Sequence, residues 1–210
     1  GLTQFGDRRQ GTQRNRDAID WIEERLQAVG CTNTQRLNYV YEPAPRPPGR
    51  RRATGDPNAP DGTPLGGEIG RNGSGPGGSS IFGYRARTGV NTDPAAQPDP
   101  QLRELNRETS TPGPRQQVYC TTIGATHPEE MYILGAHMDG HGWGEAANDD
   151  GSGTALVMEL ARVLNASDVQ TARSIRFILW NNEETGLNGS RAYVEQRQAM
   201  QGREDPPGSG

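Results

Sequence analysis

Two apolar runs with a helix-forming segment between them constrain this chain more than any other feature. Met131–Ala136 (MYILGA) and Ser174–Trp180 (SIRFILW) each have strand length and strand composition. Ser152–Leu164 (SGTALVMELARVL) lies between them and is built of good helix formers. In it, Leu156, Leu160, Val163 and Leu164 mark a broad face for burial. Strand, helix and strand at this spacing form a unit whose two strands run parallel through a right-handed crossover. Continuous apolar strands suit a sheet covered by helices on both faces. The expected class is therefore α/β, a helix-flanked, mostly parallel or mixed sheet in three layers. The segments after Ala136 and Trp180 then open on one edge of that sheet, the edge where ligands bind in such folds.

The remaining elements fit around this unit. Thr12–Gly30 has helical periodicity at Ile19, Ile22, Leu26 and Val29, with Gly30 as its stop. Arg36–Tyr41 reads as a strand with Leu37, Tyr39 and Tyr41 on one face, Gln117–Ile123 as another strand, and Leu187–Gln198 as a closing helix. Residues 42–115 differ in kind. They hold 13 of the 16 prolines and few large apolar side chains, too few to offset the entropy of ordering such a length. This stretch is expected to be an irregular, flexible, Pro/Gly/Arg-rich insert within one partial domain of residues 1–210. Its RPPGRRR run, Arg46–Arg52, reads as solvated linker rather than as an anion-binding patch.

The chemistry resides in the two segments on the shared edge, GAHMDGHGWGEAANDDGSG (135–153) and WNNEETGLNGS (180–190). Each residue has an ordinary explanation when taken singly. His137 at a strand end can be a structural histidine, Asp149 and Asp150 can cap the next helix, and Glu183 and Glu184 can be exposed turn charges. Together, two acidic pairs and a His-x-Asp set converge on one crevice, which is costly without a cation. Imidazole nitrogen and carboxylate oxygens suit zinc or a similar ion. His137 would supply nitrogen, Asp139 would hold the other imidazole nitrogen, and Asp149 would bridge two metals. Of the adjacent Glu183 and Glu184, one would bind metal while the other serves as general base. His141 is left open between a pocket-wall role and none, Trp143 between lining a cleft and covering the loop, and His127 is expected to be exposed.

AHMD, then NDDGSG and a helix, then FILWNNEETGLNGS resemble the signature of the co-catalytic zinc exopeptidases typified by bacterial leucine aminopeptidase. Plasma glutamate carboxypeptidase and glutaminyl cyclase are further relatives. The likeness covers Phe5–Tyr41 and Gln116–Gln198. It implies that His137 binds one zinc, Asp149 bridges, Glu184 binds the second zinc, Glu183 is the general base and Asp139 orients His137. The expected function is hydrolysis of terminal peptide bonds by a metal-activated water at a two-zinc site, with carboxypeptidase or cyclase action, or a non-catalytic binding module, as alternatives. The resemblance also demands a further Asp and His beyond the Glu-Glu pair. No histidine follows Glu184, so the 210-residue chain is expected to be an incomplete, inert piece.

Charge and composition narrow the partners. A net charge of -4 disfavours nucleic acid, and every one of the 22 basic residues is arginine, which removes lysine chemistry. No run is apolar enough to span a membrane, and a peptide is the expected substrate. Cys31 and Cys120 read as two separate thiols, with a bridge left open. By analogy with exported bacterial relatives, the expected location is periplasmic or secreted.

Overall fold

The computed structural model describes residues 1–31, 33–43 and 94–203. The RPPGRRR run and most of the 42–115 stretch lie outside the described residues. In chain order the described elements are a 3-10 turn (Leu2–Phe5), α1 (Gln13–Ala28), β1 (Thr34–Tyr41), a 3-10 turn (Pro94–Ala96) and α2 (Pro100–Leu105). There follow β2 (Gly113–Thr122), β3 (His127–His137), a π-type turn (Ala147–Gly151), α3 (Ser152–Leu164), β4 (Arg173–Trp180) and α4 (Asn188–Met200).

The four strands make one mixed sheet in the order β1-β2-β4-β3. β3 and β4 are parallel, with His137 opposite Trp180 at their carboxyl ends. β2 runs antiparallel to both β1 and β4. Two separate clusters show the layers. On one face α1 and α3 pack Ile19, Ile22, Leu26, Val157 and Ala161 against Val118, Phe177 and Leu179 of the sheet. On the other, Tyr193 of α4 packs with Leu37, Tyr119 and Ile178. The expected three-layer α/β arrangement is what the structure has.

Local chemistry accounts for the element ends. Thr12 caps α1 by accepting from the Asn15 amide, and Gly30 leaves the helix at φ 90°, a conformation open to glycine. Within β4 every side chain from Ser174 to Leu179 is buried, as its apolar run required. The one charged residue of that buried run, Arg176, donates to Thr121 Oγ1 at 2.9 Å and to the Tyr193 hydroxyl at 2.6 Å, with the Tyr119 ring centroid 4.8 Å from its guanidinium carbon.

Three readings of the sequence change. The face that α3 buries is Thr154, Val157 and Ala161, flanked by Leu160 and Leu164, whereas Leu156 and Val163 are exposed. Leucine spacing pointed to one stripe, and the buried one is rotated from it. β3 is not covered on both faces, and Tyr132 is 60% exposed because the strand is at the sheet edge among the described residues. Cys31 and Cys120 are not separate thiols. They form a disulfide between the segment that follows α1 and the carboxyl-terminal part of β2, with Cα atoms 6.0 Å apart.

The described end of the 42–115 stretch contains α2 and the start of β2. Asp99 caps α2 by accepting from the Gln101 and Leu102 amides, with Pro100 at its first position.

Candidate metal centre

His137 ends β3 and is held at three points. Its backbone amide donates to Asp150 Oδ2 at 3.3 Å, its carbonyl accepts from Thr154 Oγ1 at 2.9 Å, and its ring Nδ1 lies 2.9 Å from the Asp139 carbonyl oxygen. That carbonyl can only accept, so Nδ1 carries the proton and Nε2 is the ring nitrogen that faces the acidic cluster. Nε2 faces Asp149 Oδ1 at 3.1 Å and Glu183 Oε2 at 3.8 Å.

The acidic pair after Ala147 divides its work. Asp149 points to His137. Asp150 turns inward, accepting from the His137 amide through one oxygen and from the Gly153 amide, at 2.9 Å, through the other. Gly153 is required here, because a Cβ would lie 2.4 Å from Asp150 Oδ1. Asp150, to which the sequence assigned only a capping alternative, thus ties the end of β3 to the start of α3.

Asp139 is fully buried, and its carboxylate accepts from the backbone amides of Glu183 at 3.1 Å and Glu184 at 3.4 Å. The carboxylate is 3.8 Å from His137 Nδ1, so the ring is oriented by the Asp139 main chain while the side chain braces the Glu-Glu turn. The sequence pattern assigned the orienting contact to the Asp139 side chain, whereas here the main chain makes it.

Glu184 is 6% exposed, with Oε2 3.4 Å from His141 Nε2, whereas Glu183 is half-buried. His141 is therefore buried beside the site, and Trp143 is buried within the same loop. His127 sits at the far end of β3, exposed as expected.

His137, Asp149 and Glu184 each present one ligand atom, and all three atoms lie within 4.8 Å of one another. The electrostatics of the cluster accord with a cation site. Burial, reinforced by Asp139 and Asp149, drives the Glu184 carboxyl up to about 9. Burial opposes charge on His137, but its hydrogen bond to Asp149 and the fields of Asp139 and Glu183 raise it to about 10. Burial, followed by the Arg9 charge, lowers His141 to about 4. Without a dication, protons must compensate the buried carboxylates; a nitrogen-and-oxygen donor set of this kind suits zinc.

Residues 117–204 match the family described as Peptidase family M28. Aminopeptidase YwaD of Bacillus subtilis (strain 168) is 45% identical over 69 residues, 33% of this chain and 14% of that protein. The probable lipoprotein aminopeptidase LpqL of Mycobacterium tuberculosis is 36% identical over 99 residues, 47% of this chain and 19% of that protein. The chain thus aligns with less than a fifth of either relative. Among solved structures, the Peptidase M28 precursor from Shewanella amazonensis SB2B superposes with a TM-score of 0.60 at 19% identity, covering 97% of this chain and 67% of that one. A zinc aminopeptidase from Bacillus subtilis gives 0.57 at 17% identity, covering 92% and 62%. Both show the same fold.

Proposed function

Because residues 117–204 match peptidase family M28, we propose that the chain belongs to that family and that its protein hydrolyses the terminal bond of peptides at a two-zinc site. The observation that carries this reading is the meeting of His137, Asp149 and Glu184 at one rim with Glu183 beside them. On this reading His137 and Glu184 would each hold one ion, and Asp149 would be shared between the two. When bound, the metal supplies Lewis acidity, which lowers the pKa of a water and polarises the scissile carbonyl.

The chain's own residues do the rest. Glu183 takes the proton of the attacking water on a carboxylate oxygen and delivers it to the departing amine. Burial, opposed by His137 and reinforced by Asp139 and Asp149, holds its carboxyl above the ordinary carboxylate range, which suits a group that must both accept and return a proton. Asp139 fixes the turn carrying both glutamates, and its main chain sets the His137 tautomer. His141 packs against Glu184 and limits that carboxylate's freedom.

Three ligands for two ions leave each shell incomplete among the described residues, so the 210-residue chain by itself is proposed to be inert and to bind zinc weakly. Support for export comes from the disulfide, since such bonds persist in oxidising compartments. No helix among the described residues is long and apolar enough to cross a membrane.

The test is metal content and turnover of the intact protein, assayed on a free dipeptide, an amino-blocked one and a carboxy-amidated one. About two zinc per chain and cleavage that survives amidation but not amino-blocking supports aminopeptidase action. The reverse preference supports carboxypeptidase action. A metal-free, inactive protein refutes the reading.

A further inference from the structure

The loop joining His137 to Asp149 is gripped by its carbonyl oxygens. Gln97 Nε2 donates to the Trp143 carbonyl at 2.5 Å and Asn106 Nδ2 to that of Gly144 at 2.9 Å. Arg8 takes the next two, with Nη1 donating to the Glu145 carbonyl at 2.6 Å and Nη2 to that of Ala146 at 2.8 Å. Its Nε donates to the Met138 carbonyl, at the other end of the loop, at 2.7 Å. Four consecutive carbonyls and the one beside His137 are therefore all held by side chains from outside the loop.

Arg8 is the centre of this grip. It is fully buried, and the hydrogen bonds of its guanidinium among the described residues all end on backbone carbonyls, the last being Gly6 at 2.8 Å. Burying a guanidinium without a bidentate carboxylate is costly, and the planar fork is what lets one side chain span both ends of a loop. Its own carbonyl accepts from Asn15 Nδ2 at 2.7 Å, and Asn15 exchanges side-chain hydrogen bonds with Asn181, next to the Glu183–Glu184 turn. Arg8 and, through it, Asn15 of α1 thus connect both loops of the candidate metal centre.

We propose that Arg8, assisted by Gln97 and Asn106, is a positioning residue that sets metal affinity by fixing the spacing between His137 and Asp149. This rests on the metal-centre reading above. Groups that orient ligands in this way change metal affinity by about 10- to 100-fold when removed. Arg8 has φ 51°, so Arg8→Gly deletes the guanidinium without straining the backbone.

The experiment is zinc competition titration on the intact protein carrying Arg8→Gly, Arg8→Lys, Gln97→Met, Asn106→Ser or His137→Ala. Circular dichroism of the metal-free forms confirms folding. Arg8→Gly is expected to lose at least tenfold in zinc affinity, to recover part of it with added methylguanidinium, and to be poorly replaced by lysine. Zinc affinity within threefold of wild type in folded Arg8→Gly overturns the clamp. If Arg8→Gly does not fold, unchanged affinity in both Gln97→Met and Asn106→Ser overturns it instead. His137→Ala separates the two claims: wild-type affinity there sinks the metal centre itself, whereas lost affinity there with intact affinity in the clamp variants sinks only the clamp.

Discussion

Neighbouring side chains in this site have opposite fates. Glu184 is buried against His141, while Glu183, one residue earlier, is half-buried beside His137 with no ligand role in the three-atom cluster. Glu183→Gln keeps the shape and removes the proton acceptor. It is expected to lower kcat by about 10²–10⁴-fold in the intact protein with zinc content unchanged. Parallel loss of metal would transfer Glu183 to the ligand set. Asp139→Ala removes the acceptor of one buried and one partly buried amide, and a buried one left unpaired costs about 1–3 kcal/mol. A drop of that order in urea-unfolding free energy, with the glutamate turn loosened in amide exchange, is the expected result. These two roles were unequally legible. An acidic pair after a strand announces chemistry, but which acid faces inward depends on turn geometry, with Asn182 at φ 60° ahead of the pair.

Helix α3 shows how an element can be identified correctly and oriented incorrectly. Its length and composition are those of a helix anywhere, yet the buried stripe is Thr154, Val157 and Ala161. Ala161→Leu should overpack this interface and destabilise the fold by about 1–3 kcal/mol. Leu156→Ala, on the exposed side, should stay within about 0.5 kcal/mol of wild type. Thermal or urea denaturation of the pair decides, and the reverse order would restore the stripe drawn from leucine spacing. The start of the same helix has a tighter requirement. Gly153→Ala sets a methyl against Asp150, and since Asp150 also holds the His137 amide, the strain should reach the candidate metal site. Weaker zinc binding, not only a lower Tm, is expected from that variant.

At the scale of the molecule, the disulfide joins the segment that follows α1 to the central sheet across 89 residues of sequence. Replacing both cysteines by alanine should cost about 2–5 kcal/mol, read by denaturation under oxidising conditions. An unchanged midpoint would show that the closed loop contributes nothing to stability. The edge of the sheet has a different character. β3 leaves Tyr132 and Ile133 exposed, although its run of apolar residues is that of an interior strand. An apolar strand edge of this kind is a template for pairing.

Sequence alone determined what depends on local pattern. Strand–helix–strand order, the carboxyl-end rim and the residue types gathered there follow from periodicity and chain direction, which the residues carry themselves. The tertiary structure decided what depends on atoms distant in sequence. It rotated α3, bonded Cys31 to Cys120, divided Asp139 between its carbonyl and its carboxylate, and brought Arg8 across about 130 positions to the Met138 carbonyl. A hydrogen bond to a main-chain oxygen depends on geometry rather than on the acceptor's residue type, so no spacing in the chain could have announced the grip on the 138–146 loop.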